Sequence, residues 1–202
     1  MAQRGSYAKG VAKREEILRA ALEVVAREGY RGASVKQIAD AVGLSQAGLL
    51  HYFDSKEELF TEILRLRDEV DVDTFGEGTG GAHPYDEAVA SYVRLIRHNT
   101  EVPGLVHLFS QLAVDATDPQ HAAHDFFVDR GRRARERLDD VLEAAQREGR
   151  ITDAIPPQTI TRLLQAVADG MQLQWMLEPE EADMTEVVEA FFTLLETQRS
   201  PR

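Results

Sequence analysis

The chain has 202 residues, a formal net charge of −12 at neutral pH and 43% hydrophobic residues, with no cysteine. This length can form one domain of ordinary size, or a small head and a larger body. The lack of cysteine excludes disulfide bonds and thiolate metal sites. The N-terminus lacks the apolar core of a secretory signal, and no stretch is long enough to span a membrane. We therefore expect a cytoplasmic protein with no membrane partner.

Basic residues are concentrated near the N-terminus. Residues 1–56 contain nine Lys or Arg and six Asp or Glu, a net charge of +3. The remainder contains 14 basic and 29 acidic residues, a net charge of −15. Such asymmetry is typical of a protein whose basic end meets nucleic acid.

The N-terminal segment precedes an amphipathic helix. We expect residues 1–12 to form a mobile arm carrying Arg4 and Lys9, which either reaches a groove of DNA or stays disordered. The first helix is predicted from about Lys13 to Glu28. Its inner stripe consists of Ile17, Leu18, Ala21, Leu22 and Val25.

Residues 34–56 have the pattern of two short helices joined by a tight turn, with a further helix directly behind. The Ser34 hydroxyl can accept a hydrogen bond from the free amides of a helix that begins at Val35. Gly43 stands where a helix end favours a left-handed residue, and Ser45 can cap the next helix. This pattern predicts a helix-turn-helix. The alternative is an ordinary helical hairpin with a solvated outer face.

The second helix of this motif has an inner and an outer face. Leu49 and Phe53 lie four residues apart and are predicted to pack inward. Glutamine can form two hydrogen bonds with adenine, and aliphatic side chains can contact thymine methyl groups. We therefore expect these residues to face the major groove: Ser34 and Lys36 on the first helix of the motif, and Gln46, Ala47, Leu50 and His51 on the second.

The surroundings of the motif closely resemble the TetR family of bacterial transcriptional regulators, with an amphipathic helix before it and Leu-Leu-His-Tyr-Phe-Asp-Ser-Lys-Glu-Glu-Leu from residue 49. The similarity is specific over roughly residues 13–64 and loose over the rest. It implies that Tyr52 and Lys56 hold backbone phosphates. One departure is Leu50, where an aromatic residue is common in the family, and this leaves the base preferred at that contact open.

The resemblance also implies two domains. A helix-turn-helix DNA-binding domain is expected over residues 1–56, and a helical ligand-binding and dimerisation domain over residues 57–202. Ser55 and Glu58 can form a capping box for the fourth helix, which would act as a lever toward the second domain.

Proline, glycine and apolar spacing predict the rest of the chain. The glycine-rich residues 76–81 are predicted as a linker, because the acidic residues before them do not suit the alternative, a phosphate cradle. Helices are predicted from Pro84 to about Thr100, from Pro103 to about Thr117, from Asp118-Pro119 to near Gly149, from Pro156-Pro157 to about Glu178, and from Met184 to Gln198. The fold class is therefore all-α, with about nine helices.

The arginine-rich run 130–137 has two interpretations, a second DNA patch or a solvated helix face with ion pairs. Glu136 lies four residues after Arg132, and Asp139 four after Arg135. This spacing favours the ion-paired face.

The last two predicted helices are unusually apolar, and their stripes can be monomer core or subunit interface. We favour the interface, because a helix-turn-helix protein normally reads a two-fold site as a symmetric pair. The resemblance points to the same helices. The predicted interface residues are Leu163, Val167, Gly170, Val188, Phe191, Phe192 and Leu195.

Polar and aromatic residues on otherwise apolar helices of the second domain are candidates for a small-molecule pocket. The resemblance implies an inducer site there without identifying the molecule. Each residue alone is more often part of a core or a rim. The candidates are His98, His107, Phe109, Gln111, Met171, Gln172 and Trp175.

No cofactor, metal or catalytic site is predicted. His121, His124 and Asp125 have metal-like spacing, but without a companion motif they are interpreted as the start of a surface helix. A nucleophile elbow and a paired His-Glu helix motif are both absent from the sequence, so we do not expect an enzyme.

The sequence therefore predicts a homodimeric regulator that binds a palindromic operator in double-stranded DNA, represses transcription, and is released by an unknown small-molecule inducer. Two alternatives are left open. One is a constitutive DNA-binding regulator without a ligand, and the other is a helical binding protein or enzyme whose hairpin docks a protein partner. Salt-dependent binding to duplex DNA separates the last class from the first two.

Overall fold

The computed structural model describes residues 2–76 and 83–197, except for the side chains of residues 2–8 and 30–32. Over this part of the chain the fold is all-α, as predicted, with nine helices and a single isolated bridge between Ile151 and Glu196. None of the described helices is long and apolar enough to cross a membrane. The helices are α1 (Ala2–Gly32), α2 (Val35–Ala41), α3 (Gln46–Leu49), α4 (Lys56–Phe75), α5 (Pro84–Glu101), α6 (Pro103–Asp115), α7 (His124–Arg147), α8 (Pro157–Leu177) and α9 (Met184–Leu195).

Helix starts in the second half of the chain follow from local chemistry. Pro103 and Pro157 occupy the first positions of α6 and α8, where the missing N–H removes no helical hydrogen bond. The Asp183 carboxylate accepts hydrogen bonds from the N–H groups of Thr185 and Glu186 at 2.8 and 3.0 Å. These bonds cap α9 and set its first residue.

The first compact unit comprises Met1–Val70 and Val102–Phe127. It contains α1, α2, α3, α6 and the first part of α4, which share one hydrophobic core. Helix α6 packs along α1. The largest fully buried side chains of this unit are Ile17, Ile38, Leu49, Phe53, Leu59, Phe60, Ile63, Leu64 and Leu108.

Helices α1 and α6 approach each other most closely at Gly104. A Cβ atom at this position would lie 2.0 Å from the carbonyl oxygen of Val25 and 2.8 Å from the Cα atom of Gly29. Gly29 has a φ of 73°, which interrupts the helical backbone of α1 at the contact. The two backbones can meet here only because residue 104 has no side chain.

The second compact unit comprises Asp71–Glu101 and Val128–Arg202. In this unit α9 packs against both α5 and α8. An ion pair of 2.5 Å between Arg150 and Asp86 joins the turn after α7 to α5. The core side chains include Tyr85, Ile96, Leu142, Ile151, Ile160, Leu164, Met171, Met184, Val188, Phe192 and Leu195.

Two of the predicted segments are wrong. Residues 2–12 are helical and belong to α1, so they do not form the predicted arm. The helix predicted from Asp118-Pro119 begins at His124 instead, because the Asp118 carboxylate accepts the N–H of Gln120 at 2.9 Å and closes a turn. Of the predicted linker, residues 77–81 lie outside the described part of the chain.

The packing divides the chain differently from the boundary predicted after residue 56. The first part of α4 and all of α6 belong to the unit that contains α2 and α3. The reason is hydrophobic burial, since Leu105, Leu108 and Leu112 of α6 enter the same core as α1. The functional division at residue 56 stays a prediction.

Gly104→Ala is expected to destabilise the first unit, because the new Cβ would collide with the Val25 carbonyl and force α6 away from α1. Overpacking of this kind costs about 1 to 3 kcal/mol. Urea unfolding followed by circular dichroism measures the loss. Gly10→Ala is the matched control, since a Cβ at Gly10 meets no atom within 4 Å. An equal loss of stability in both variants would contradict the role given to this contact.

Candidate nucleic-acid interface

Helix α2 is held at its start by the predicted serine cap. The Ser34 hydroxyl accepts a hydrogen bond from the N–H of Gln37 at 3.2 Å, and the Gln37 side chain accepts one from the N–H of Ser34 at 2.9 Å. This reciprocal pair is a complete capping box. It fixes the position of Ser34 and of Lys36 in the first turn.

The turn between α2 and α3 follows the predicted chemistry. Gly43 has a φ of 66°, a left-handed conformation that strains residues with a Cβ atom. The N–H of Leu44 donates to the carbonyl of Ala39 at 2.9 Å and closes the end of α2. Ser45 then accepts the N–H of Gly48 at 3.0 Å and caps α3. The helix-turn-helix prediction is therefore confirmed in its local geometry.

Helix α3 is short and depends on its buried side. Helical hydrogen bonds continue one step beyond it, from the N–H of Leu50 to Gln46 and from the N–H of His51 to Ala47, at 2.9 and 3.1 Å. Leu49 and Phe53 are 0% and 1% exposed, as predicted from their spacing. These two side chains orient the segment, because four residues cannot form a stable helix alone.

All but one of the residues predicted to face DNA are exposed. Leu50 is 41% exposed although it is apolar, and Tyr52 is half-buried with its ring 5.9 Å from that of His51. Lys56 lies at the start of α4, where its Nζ is 5.2 Å from the centre of the Phe60 ring. The other exposed members of the set are Ser34, Lys36, Gln46, Ala47 and His51.

Arg14 connects three parts of the first unit. Its guanidinium donates from Nη1 to Glu62 at 3.0 Å and from Nη2 to Glu58 at 3.5 Å, both on α4. The same group lies 4.8 Å from the centre of the Phe53 ring, just behind α3. Arg14 therefore ties α1 to α4 and to the anchor of α3. Spacing along the sequence cannot reveal this role, because the partners of Arg14 lie 44 and 48 residues away.

The predicted capping box of α4 is confirmed in one of its two bonds. The Ser55 hydroxyl accepts the N–H of Glu58 at 3.0 Å. The Glu58 carboxylate, however, accepts the N–H of Asp54, one residue before the expected position. Glu58 thus bonds to the loop after α3 and to Arg14 together.

Comparison with known proteins places this motif in a family. The family model of bacterial regulatory proteins of the tetR family matches residues 17–63, and that of the C-terminal part of BetI-type transcriptional repressors matches residues 109–199. The HTH-type transcriptional regulator UidR of Escherichia coli (strain K12) is 30% identical over 158 residues, which are 78% of this chain and 79% of UidR. The chain belongs to the TetR family of transcriptional regulators.

Two further relatives show how far the likeness extends. The HTH-type transcriptional regulator RutR of Escherichia coli (strain K12) is 44% identical over 54 residues, which are 27% of this chain and 26% of RutR. The chain thus matches about a quarter of that relative's length. The crystal structure of a transcriptional regulator from Saccharomonospora viridis in complex with choline has a TM-score of 0.72 at 22% identity, covering 94% of this chain and all of that one. It supports the TetR family fold.

The predicted interface residues fall on two sides of α8 and α9. Val188, Phe192 and Leu195 are 0%, 3% and 5% exposed and belong to the core of the second unit. Their prediction as interface residues is therefore corrected, because they have almost no surface left for a partner. Leu163 is exposed on the outer side, and Val167, Gly170 and Phe191 are half-buried.

The same two helices carry an outer apolar stripe, of which only Leu163 is among the predicted interface residues. It consists of exposed side chains whose spacings, ten and four residues on α8 and seven on α9, keep them on one side of each helix. Periodicity could have found it, because α8 has apolar residues on two faces. We call this set the outer stripe: Leu163, Leu173 and Leu177 on α8, and Val187 and Leu194 on α9.

The candidate pocket residues are divided between the two units. His107, Phe109 and Gln111 lie on α6, and Gln111 is exposed, so its role in a pocket stays a prediction. Phe109 is buried with its ring 5.2 Å from that of Phe127, which makes it a core residue of the first unit. His107 is half-buried.

Four candidates lie in the second unit. The Nδ1 of His98 lies 3.1 Å from the Glu101 carboxylate, and the His98 ring is 5.2 Å from that of Phe75. Trp175 is half-buried and lines an open cleft of about 550 Å³. Met171 and Gln172 are both 7% exposed. The amide oxygen of Gln172 has no hydrogen-bond partner among the described residues, which is costly for a buried polar atom.

One further polar group of the second unit, the phenol of Tyr92, is not among the residues predicted from the sequence. Burial, with a smaller contribution from the Asp169 carboxylate, raises the pKa of Tyr92 to about 12 against the opposing Arg130 guanidinium. The Tyr92 hydroxyl therefore keeps its proton at neutral pH and can donate a hydrogen bond.

The remaining candidate sites have structural partners. The His124 ring is 2.9 Å from the carbonyl oxygen of Ala116, and His121 accepts the N–H of Ala123 at 3.2 Å. In the arginine-rich run, the ion pair of Arg132 with Glu136 is confirmed at 3.2 Å. Among the residues described, no group of three or more His, Asp or Glu side chains could hold a metal ion.

Gln46→Ala and Lys56→Ala are expected to weaken DNA binding in different ways. Loss of a two-bond contact to adenine costs roughly 1 to 3 kcal/mol and relaxes specificity at one base pair. Removal of a phosphate-binding cation weakens binding to all sequences and reduces the slope of log affinity against log salt by about 0.9. Titration of operator and scrambled duplexes across a salt series measures both. If both variants lose affinity equally on every sequence, the assigned roles are wrong.

Proposed function

We propose that the chain is a transcriptional repressor that binds an inverted-repeat operator as a homodimer and leaves it when a small molecule binds. The observation that carries the proposal is a set of exposed side chains on a capped and anchored helix-turn-helix. Membership of the TetR family and the match to the BetI-type repressor model support it. We propose no catalytic step. Such a regulator acts where bacterial DNA lies, in the cytoplasm.

Base reading is assigned to α3. Gln46 and Ala47 occupy its first turn, which the Ser45 cap holds in place. Glutamine can bond the N6 and N7 edge of adenine, while Ala47 and the exposed Leu50 suit thymine methyl groups. An aliphatic side chain at position 50 offers no hydrogen bond, so this contact should favour thymine over the other bases.

Phosphate binding is assigned to residues at the ends of the motif. Lys36 lies in the first turn of α2 and Lys56 in the first turn of α4. One lysine therefore precedes α3 in the sequence and the other follows it. The half-buried Tyr52 can reach a phosphate with its hydroxyl while its ring packs on the core. Contacts of this kind fix the register of a protein on DNA without selecting its sequence.

Dimerisation is assigned to the outer stripe. Leu177 and Leu194 are 81% and 82% exposed, and both lie in the second unit, on helices that pack against each other. Exposed leucines on adjacent helices are unfavourable in water, so a second copy that covers them would stabilise the protein. A two-fold pair also matches the symmetry that an inverted repeat requires.

The small-molecule site is assigned to the buried face of α8. Gln172 lies on the same side of this helix as Met171 and Leu164, within the second unit. Its amide oxygen has no described hydrogen-bond partner, so a ligand that donates a hydrogen bond would satisfy it. The choline complex of the Saccharomonospora viridis regulator shows that a small molecule can bind to a protein of this fold.

Signal transmission is assigned to α4. This helix begins at Lys56 in the first unit and continues past Val70 into the second. Through Glu58 and Glu62 it is bonded to Arg14, which contacts the anchor of α3. We infer that ligand binding shifts α4 and moves the two α3 helices away from the spacing of one DNA turn, roughly 34 to 36 Å.

Selection of bound sites from random duplexes is expected to return an inverted repeat. Leu173→Glu combined with Leu194→Glu should produce a folded monomer, because the charges lie on the exposed stripe and leave the core intact. Without the second copy, operator affinity should fall by about 100-fold or more, the usual gain from bivalent binding. Sedimentation velocity and duplex titration measure the two effects.

Val114→Glu is the matched control, since this valine is 65% exposed on α6 in the first unit. The control should remain dimeric and bind the operator like the unmodified protein. A double variant that stays dimeric would exclude the outer stripe as the interface. Recovery of a single, non-repeated site would exclude the symmetric operator.

Gln172→Leu is expected to raise stability in the absence of ligand by about 1 kcal/mol, because it replaces an unpartnered buried amide by an apolar group of similar size. The same change should weaken release by an inducer about tenfold, the value of one hydrogen bond. Urea unfolding measures the first effect, and operator release by a compound found in a metabolite screen measures the second. Destabilisation of the ligand-free variant would show that the amide oxygen is already bonded.

A further inference from the structure

The first turns of α1 form a basic rod in an acidic protein. The helix begins at Ala2, well before the predicted start at Lys13. Residues 2–14 contain Arg4, Lys9, Lys13 and Arg14 and no acidic residue, whereas the whole chain has a net charge of −12. A basic segment in an otherwise acidic protein attracts a polyanion.

This rod lies beside the helix-turn-helix. The Nζ of Lys13 is 3.4 Å from the carbonyl oxygen of Val42, at the end of α2, and 2.8 Å from Glu16. The residues after Val42 lead directly into the first turn of α3, which carries Gln46 and Ala47. Lys13 therefore lies near the end of α3 to which base reading is assigned.

Lys9 extends this basic face away from the motif. It lies four residues before Lys13, so the two side chains project from the same side of the helix, and Lys9 is exposed. A helix rises 1.5 Å per residue, so residues 2–13 extend over about 18 Å. This length corresponds to about five base pairs of duplex DNA at 3.4 Å each.

We infer that the N-terminal turns of α1 bind backbone phosphates that flank each operator half-site. This inference rests on the proposed DNA-binding face of α2 and α3. Lys13 and Arg14 already have acidic partners, so the exposed Lys9, and Arg4 before it in the sequence, are the cations assigned to the flanking DNA. Lysine and arginine on a regular helix suit a sequence-independent contact with the sugar-phosphate backbone.

The test compares the double variant Arg4→Ala, Lys9→Ala with the unmodified protein on two duplexes. The long duplex carries base pairs beyond the half-sites of a selected operator, and the short duplex ends at them. On the long duplex, the slope of log affinity against log salt should fall by about 1.8, at about 0.9 for each phosphate that the variant no longer neutralises. On the short duplex, the two proteins should bind alike.

The matched control is Arg19→Ala, Arg27→Ala, which removes two exposed cations farther along the same helix. All four substitutions place alanine in a helix, which favours the helical state. The control should keep the slope of the unmodified protein on both duplexes.

Three results would overturn the inference: an unchanged slope for the Arg4, Lys9 variant on the long duplex, an equal decrease on the short duplex, or an equal decrease in the control. The first would show that these cations bind no phosphate, and the last that only net charge matters. An unmodified protein that binds no duplex at all would refute the proposed function itself, so the two failures can be told apart.

Discussion

The proposed DNA-facing surface depends on the burial of two side chains behind a helix of four residues. Helix α3 is too short to be stable in water, since the first turns of an isolated helix are unfavourable. Leu49 and Phe53 hold it by entering the core of the first unit, where they are almost completely buried. The direction in which Gln46 and Leu50 point is therefore set from behind, by hydrophobic packing. Arg14 over the Phe53 ring links the same anchor to α4.

The unit that carries this anchor is larger than a helix-turn-helix. Helix α6 packs along α1 and shares its core, and the close approach at Gly104 requires a residue without a Cβ atom. A ligand-dependent change could therefore reach α3 by two routes within the first unit, through α4 and Arg14 or through α6 and α1. Because a packed core deforms little, a small shift of either helix should move the motif as a rigid part.

Local chemistry could be predicted from the sequence, and long-range packing could not. The caps at Ser34 and Ser45 and the left-handed Gly43 follow from residues a few positions apart, and the structure has all three. On α8 and α9, apolar spacing predicts helices correctly but cannot show which of two apolar faces meets the chain's own core. For this reason Val188, Phe192 and Leu195 are wrong as interface residues, while the exposed Leu177 and Leu194 are missing from that prediction.

The charge distribution gives the assigned roles a common physical basis. A uniformly basic protein would bind any duplex tightly, and the difference between operator and other DNA would be a small part of the total binding free energy. Here the cations are concentrated in residues 1–56, and the remaining chain has a net charge of −15. The acidic remainder opposes binding to every duplex alike, so it lowers the affinity for operator and non-operator DNA equally and makes the base contacts a larger part of the binding free energy. In the proposed complex, the contacts of Gln46 and Leu50 would then decide where the protein stays bound, although they contribute only a few kcal/mol.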